Sequence, residues 1–158
     1  MKIVGIDPGL SSTGIGIVKG IGLKVESFSY GSIDTSKSTP LPGRLDVIYS
    51  KLLSLLKAEH PDLLVIEDVF SLKRYPKSGI SLGQVSGIIL LAGFRADIPA
   101  VQVPVREAKK VLTGNGNANK TQLEEAVRNK LSITIPIRPY HASDALGLAL
   151  IGLYRHSS

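Results

Sequence analysis

Residues 2–33 read KIVGIDPGLSSTGIGIVKGIGLKVESFSYGSI, and this stretch decides the fold. The run at 2–6 is short, mostly β-branched, and stops at Asp7-Pro8-Gly9, a turn signal. Residues 12–18 and 23–33 read as two further strands, joined by a turn near Gly20 and Gly22. Three consecutive strands with short connections predict an antiparallel meander. Residues 34–43, rich in Ser, Thr and Pro, read as loop.

Beyond the meander the period changes. From Arg44 onward Leu45, Ile48, Leu52, Leu55 and Leu56 recur at helical spacing, with Arg44, Asp46, Lys51 and Lys57 on other faces. Pro61 marks the stop, and 63–66 is a continuous apolar strand ending at Glu67. Lys73, Arg74 and Lys77 make a basic loop before an uncharged helix at 78–94. A short strand at 100–103 and a helix at 105–112 follow, then a Gly/Asn loop through Gly114, Asn115, Gly116 and Asn117. Thr121-Gln122-Leu123-Glu124 has capping-box spacing, so a helix is expected from there to about Leu131. Pro136 and Pro139 precede a last helix at 141–154. With no linker, repeat or low-complexity segment, residues 1–158 read as one domain. A meander followed by alternating helices and strands implies an α/β mixed sheet flanked by helices.

Composition narrows the function. At 158 residues, 43% hydrophobic and 20% charged, the chain is large enough for a real core and is not of disordered type. Cysteine is absent, which excludes disulfides and thiolate metal sites. The N-terminal apolar run meets Asp7 at once and does not read as a signal peptide. The uncharged stretch at 78–94 is shorter than the ~20 apolar residues of a membrane span, and contains Ser81, Gln84, Ser86 and glycines, so it reads as a buried helix. A net charge of +6 and a pI near 9.6 suit a phosphate backbone, although many basic proteins never touch one.

The chemistry-bearing residues are carboxylates. Asp7 and Glu67 each close an apolar strand, and both faces of those strands look buried. As sheet neighbours, the two would converge at one edge, where crowded carboxylates repel and a divalent cation is the usual remedy. In His141-Ala142-Ser143-Asp144 the spacing of three puts an imidazole and a carboxylate on one helix face. Oxygen-rich ligation favours Mg²⁺ or Mn²⁺ over zinc. Each residue alone also has an ordinary structural reading: a turn aspartate, a strand end meeting water, an acid favoured by the helix dipole. The pattern as a whole, on the right order of elements, is what points to a site.

These motifs also carry a resemblance. Ile6-Asp7-Pro8-Gly9 with Thr13-Gly14 and Gly16 resembles the opening of bacterial RuvC-type Holliday-junction resolvases. Ile66-Glu67-Asp68-Val69-Phe70 resembles their second catalytic strand, and His141-Ala142-Ser143-Asp144-Ala145-Leu146 their C-terminal catalytic helix. Lys109, the Gly114-Asn115-Gly116 loop and Lys120 are similar to the family's basic segment. The resemblance covers essentially the whole chain. It implies an RNase H-like fold with a five-stranded mixed sheet, in a homodimeric crossover junction endodeoxyribonuclease of the bacterial cytoplasm. It implies Asp7, Glu67, His141 and Asp144 as the metal-binding catalytic set, although some members carry aspartate where this chain has His141. Because Ser158 follows the last helix closely, the longer basic tail of some relatives is not expected here.

The chemistry then expected is phosphodiester hydrolysis by two Mg²⁺ ions about 4 Å apart, with Mn²⁺ able to substitute. Asp7 would bridge the ions, Glu67 and Asp144 would each favour one, and His141 would ligate or orient the attacking water. By the resemblance Phe70 would stack on a junction base, an interaction worth roughly 1–3 kcal/mol, whereas the sequence alone favours a core phenylalanine anchoring the loop. Lys73, Arg74 and Lys77 would meet backbone phosphates or simply form a solvated basic loop. Lys109 and Lys120 would meet phosphates or offset charge at the cleavage centre, ordinary exposed lysines being the alternative. Lys120, placed just before a helix N-terminus, is mildly disfavoured there by the dipole, which hints at a role beyond structure. On the 78–94 helix, Leu82, Val85, Ile89 and Ala92, widened by Ile88 and Leu91, read as a dimer contact with Gly83 and Gly87 allowing close approach; burial within the monomer is the alternative. The expected partners are four-way junction DNA, a second copy and the RuvA–RuvB branch-migration complex, with no membrane. Alternative readings are an actin-like ATPase half, for which a second phosphate loop is missing, a non-catalytic branched-DNA-binding module, and an RNase H-like nuclease with another substrate.

Overall fold

The computed structural model describes residues 1–69 and 76–157. Its elements run β1 (Lys2–Asp7), β2 (Ser12–Ile21), β3 (Lys24–Asp34), α1 (Leu41–Glu59), β4 (Leu63–Glu67), α2 (Pro76–Arg95), β5 (Ala100–Val103), α3 (Val105–Thr113), α4 (Lys120–Leu131) and α5 (Tyr140–His156). The strands form one sheet in the order β3-β2-β1-β4-β5. The expected meander is there: β1 with β2 and β2 with β3 are antiparallel, while β1–β4 and β4–β5 are parallel.

Alternation along the central strands builds a core on each face of the sheet. Ile3, Val18, Leu63 and Val65 pack with Leu123 and Val127 of α4 and with Leu146, Ala149 and Leu153 of α5. Val4, Ile6, Ile15, Leu64 and Ile66 pack with Ile48, Leu52 and Leu56 of α1 and Val85, Ile89 and Ala92 of α2. Both faces of β4 are buried, as its unbroken apolar run requires. Helix α5 is buried almost all round from Ala142 to Leu153, with only Asp144 less than fully covered in that run.

Several boundaries differ from the sequence reading. Helix α1 starts at Leu41 rather than Arg44, because Pro42 lies in the first turn, where a missing N–H costs nothing. The hairpin strands reach to Ile21 and restart at Lys24, so only Gly22, at φ 56°, and Leu23 turn the chain. Helix α4 is capped by Asn119, not Thr121. The Asn119 side chain accepts from the Gln122 N–H at 2.8 Å and Gln122 Oε1 accepts from the Asn119 N–H at 2.9 Å. Glu124 is therefore released from capping and turns inward. Of the α2 stripe read as a dimer contact, Val85, Ile89 and Ala92 are instead fully buried against the sheet of the same chain, the alternative reading, while Leu91 stays exposed. No helix among the described residues is long and apolar enough to cross a membrane.

Candidate active site

Asp7 and Glu67 end two adjacent parallel strands. The β1–β4 register pairs Ile6 with Ile66, so one step further along each strand sets the two carboxylates side by side. Their alternation matches Ile3 and Val65, which belong to the core under α5. Both carboxylates therefore face the layer that α5 occupies.

Helix α5 can come down onto this edge because the sheet beneath it carries no side chain in the way. A Cβ on Gly14, the β2 partner of Asp7, would lie 2.0 Å from the His141 carbonyl oxygen. One on Gly5 would lie 2.0 Å from the Ala145 carbonyl oxygen. These are backbone contacts that no rotamer change can relieve. The first turn of α5 thus rests on the sheet, and His141 and Asp144, one turn apart, are lowered into the Asp7–Glu67 edge.

All four residues line one cavity of about 320 Å³, together with Pro8, Gly9, Val69, Leu82, Val105, Lys109 and Lys120. Asp7 is only 5% exposed, and His141 Nδ1 donates to its Oδ2 at 2.6 Å. That hydrogen bond outweighs the loss of hydration and raises the His141 pKa. Glu67 is pushed up to about 10, first by burial, then by a hydrogen bond to Asp7 and by the charges of Asp7 and Asp144. Asp144 is pushed up to about 6, again first by burial and then by Asp7, against Lys120, His141 and Lys109. Its Oδ1 is buried without a hydrogen-bond partner among the described residues.

In this arrangement Asp7 is engaged by His141 and Glu67, and no three acids or histidines among the described residues are already spaced to grip an ion. The donor set nonetheless fits a hard divalent cation. Two carboxylates whose charged forms are disfavoured by burial and mutual repulsion, and an orphaned carboxylate oxygen, are strained in ways that a cation among them relieves.

Lys109 projects into the cavity from α3, and Lys120 from the first residue of α4, where no acid offsets the dipole. Lys77 is exposed on the first turn of α2 and is not part of the cavity wall. Phe70, Lys73 and Arg74 lie outside the described residues. Sequence reasoning missed the walls given by Leu82 and Val105, and it missed Glu124. That residue is 3% exposed and accepts from the Ile137 N–H at 2.9 Å. Arg128 Nε lies 2.7 Å from the same oxygen, but its N–H is not aimed at it, so the pair is a charge contact rather than a hydrogen bond. Arg138, 3.9 Å away, stacks over the Tyr140 ring. Glu124 thus ties the chain just ahead of His141 to α4. Its pairing with a backbone N–H thirteen residues away has no signature in the sequence.

A family model described as crossover junction endodeoxyribonuclease RuvC matches residues 3–152, which include every residue of this cavity. The chain belongs to the RuvC family. The RuvC of Thermosipho melanesiensis is 38% identical over 149 residues, 94% of each chain. Thermus thermophilus RuvC superposes with a TM-score of 0.84 at 31% identity, covering 95% of this chain and 92% of that one. The same protein in complex with Holliday junction substrate gives 0.87, also at 31% identity, over 95% and 91%. The fold is accordingly RNase H-like. RuvC proteins are metal-dependent nucleases that hydrolyse DNA phosphodiester bonds, and this chain is an enzyme of that class.

Proposed function

We propose that the cavity closed by Asp7, Glu67, His141 and Asp144 cuts four-way DNA junctions by paired, symmetric phosphodiester hydrolysis in recombination and repair. The observation that carries this reading is the convergence of three carboxylates and an imidazole, from β1, β4 and α5, on one cavity whose rim holds Lys109 and Lys120. Two Mg²⁺ ions, or Mn²⁺ in their place, held by Asp7, Glu67, Asp144 and His141, would supply Lewis-acid activation of the scissile phosphate and of the attacking water.

The chain's own groups divide the remaining work. Asp7, at the centre, is hydrogen-bonded by His141 and Glu67 and acts on Asp144 through its charge. His141, whose pKa is raised by its hydrogen bond to Asp7, holds that carboxylate in place through Nδ1 and leaves Nε2 to ligate or to orient the attacking water. Lys109 and Lys120 bring positive charge against the phosphate and hold the strand where carboxylates alone would repel it. Val69, Leu82 and Val105 give the cavity an apolar wall that limits water around the reacting phosphate. Phe70, Lys73, Arg74 and Lys77 would extend the DNA path beyond the cavity.

A two-fold junction calls for two such sites, and α2 offers a surface to pair them. Ile80, Gly83, Gly87, Leu91 and Phe94 recur at helical spacing on its outer side. Ile80 and Phe94 are 66% and 75% exposed, Leu91 is exposed, and the space above both glycines is open. This stripe, rather than the buried one, is the self-complementary contact. A RuvA–RuvB branch-migration complex in the bacterial cytoplasm would present the junction to the dimer.

The test is an end-labelled synthetic four-way junction incubated with Mg²⁺, with Mn²⁺ and with chelator, beside Asp7→Asn. Metal-dependent symmetric nicking to ligatable duplexes is expected, with the variant binding but not cutting. Binding without cleavage on several junction sequences would favour the non-catalytic module. Equal cutting of linear duplex or RNA–DNA hybrid would keep the nuclease and remove the junction.

A further inference from the structure

Arg44, in the first turns of α1, carries a guanidinium fixed by hydroxyls instead of carboxylates. Its Nε donates to Thr35 Oγ1 at 2.8 Å and its Nη2 to Ser11 Oγ at 3.0 Å. Thr35 is itself braced, since its hydroxyl donates to the Leu10 carbonyl at 2.6 Å and its N–H to the Ser11 carbonyl at 3.0 Å. None of the ion pairs among the described residues includes Arg44. Neutral acceptors hold the group in place but leave its charge uncancelled, and a guanidinium has five N–H donors, more than these two contacts use. An arginine meant only to brace a loop would lose nothing by pairing with an acid. One that keeps its charge while losing its rotamer freedom is organised in advance for an anion.

The location says which anion. Ser11 lies two residues past Gly9, which lines the catalytic cavity, so the guanidinium sits at the β1–β2 loop rim. It belongs to the α1 side of the sheet, whereas Lys109 and Lys120 come from α3 and α4 on the α5 side. A strand drawn across an acidic cavity is repelled at its centre and must be gripped at its borders. The lysines supply one border only.

We propose that Arg44 binds a backbone phosphate of the DNA strand flanking the scissile bond, on the side of the cavity opposite Lys109 and Lys120. The fork of N–H donors suits a bidentate phosphate contact. This rests on the reading of the cavity as a DNA-cutting site, and its test is built to fail separately from that reading.

Junction and linear-duplex binding would be measured in chelator over a range of KCl for wild type, Arg44→Gln and Arg44→Lys, with melting temperatures alongside. Glutamine keeps a donor for Ser11 or Thr35 but no charge, while lysine keeps the charge but not the fork. Each phosphate neutralised contributes about −0.9 to the slope of log affinity against log salt. Arg44→Gln is expected to bind roughly 3–10-fold more weakly near 0.1 M salt with a slope shallower by about one, and Arg44→Lys to keep the wild-type slope. Wild-type affinity and slope in Arg44→Gln would overturn the proposal. So would Arg44→Lys matching the glutamine variant's slope, which would leave Arg44 a loop brace. If wild type shows no preference for junction over duplex, the junction reading fails, yet a shallower slope for Arg44→Gln on duplex still supports the phosphate contact.

Discussion

Glu67 shows how one side chain ties stability to function. Burial and the neighbouring acids raise its pKa from 4.5 to about 10, so at neutral pH the metal-free protein keeps a proton that the unfolded chain has already released. The folded state then binds more protons than the unfolded one, and stability must fall as pH rises above the ordinary carboxylate range. Asp144, raised to about 6, acts in the same direction between roughly pH 4 and 6. His141, whose pKa is raised by Asp7, contributes stability below its unfolded value and loses it as pH climbs through the folded one. All three shifts have one sign. Melting of the chelator-treated protein should therefore be highest in mild acid and decline toward pH 8.5. Glu67→Gln should flatten that decline and raise the pH 8 midpoint by roughly 2–10 °C, from roughly 1–3 kcal/mol of relief. Added Mg²⁺ should stabilise wild type most at the alkaline end, because ligation displaces these protons. A wild-type midpoint that rises with pH in chelator would contradict the electrostatics of the cavity.

At the scale of elements, the site exists because α5 lies unusually close to β1 and β2. Gly14→Ala places a methyl group against the His141 carbonyl, and the helix end must move or the strand must bend. Overpacking of this kind costs typically 1–3 kcal/mol, but its greater effect should be on geometry, since His141 and Asp144 ride on the displaced turn. Cleavage is expected to fall at least tenfold while junction affinity in chelator changes little; unchanged cleavage in single-turnover assays would show that the close approach does not set the site. Glu124→Ala should act on the same turn from the other side, leaving the Ile137 N–H buried and unpaired and Arg128 without its acid. The penalty expected is roughly 1–3 kcal/mol, with Glu124→Gln recovering much of it through its amide oxygen. Denaturant melts of both variants would measure the difference.

These elements also show what the sequence could reveal. The order of elements along the chain and the shared face of His141 and Asp144 were readable because periodicity, turn residues and i,i+3 spacing are local signals, whereas the meeting of Asp7 and Glu67 depended on β1 and β4 being sheet neighbours. The cap of α4 was misread because two candidate boxes, Asn119–Gln122 and Thr121–Glu124, overlap within six residues, and the reciprocal hydrogen bonds form in the first. The reach of Glu124 to Ile137, the hydroxyl cradle of Arg44 and the role of Gly14 beneath His141 are tertiary contacts, which no periodicity encodes. On α2, hydrophobicity on nearly all sides hid which stripe the sheet would cover.

That ambiguity on α2 governs the whole molecule. The sheet takes Val85, Ile89 and Ala92, and the outward stripe of Ile80, Leu91 and Phe94 with open glycines between stays exposed, the surface proposed above for a second copy. A symmetric junction can be resolved productively only if both nicks are made before it dissociates, and two cavities on one two-fold axis meet that demand in a way a monomer cannot. Phe94→Glu, or Leu91→Glu with Phe94→Glu, should therefore yield a monomer by sedimentation at micromolar concentration, with the midpoint of thermal unfolding lowered modestly or not at all. Each monomer still holds its own Asp7, Glu67, His141 and Asp144, so nicking of one strand should persist. What should disappear is coincidence: on a supercoiled cruciform plasmid, wild type should give linear product directly, and the variant should accumulate nicked circles first. A variant that sediments as a monomer yet linearises the cruciform as wild type does would show that pairing of the cuts does not depend on α2. One that remains a dimer would place the interface on another surface of the chain.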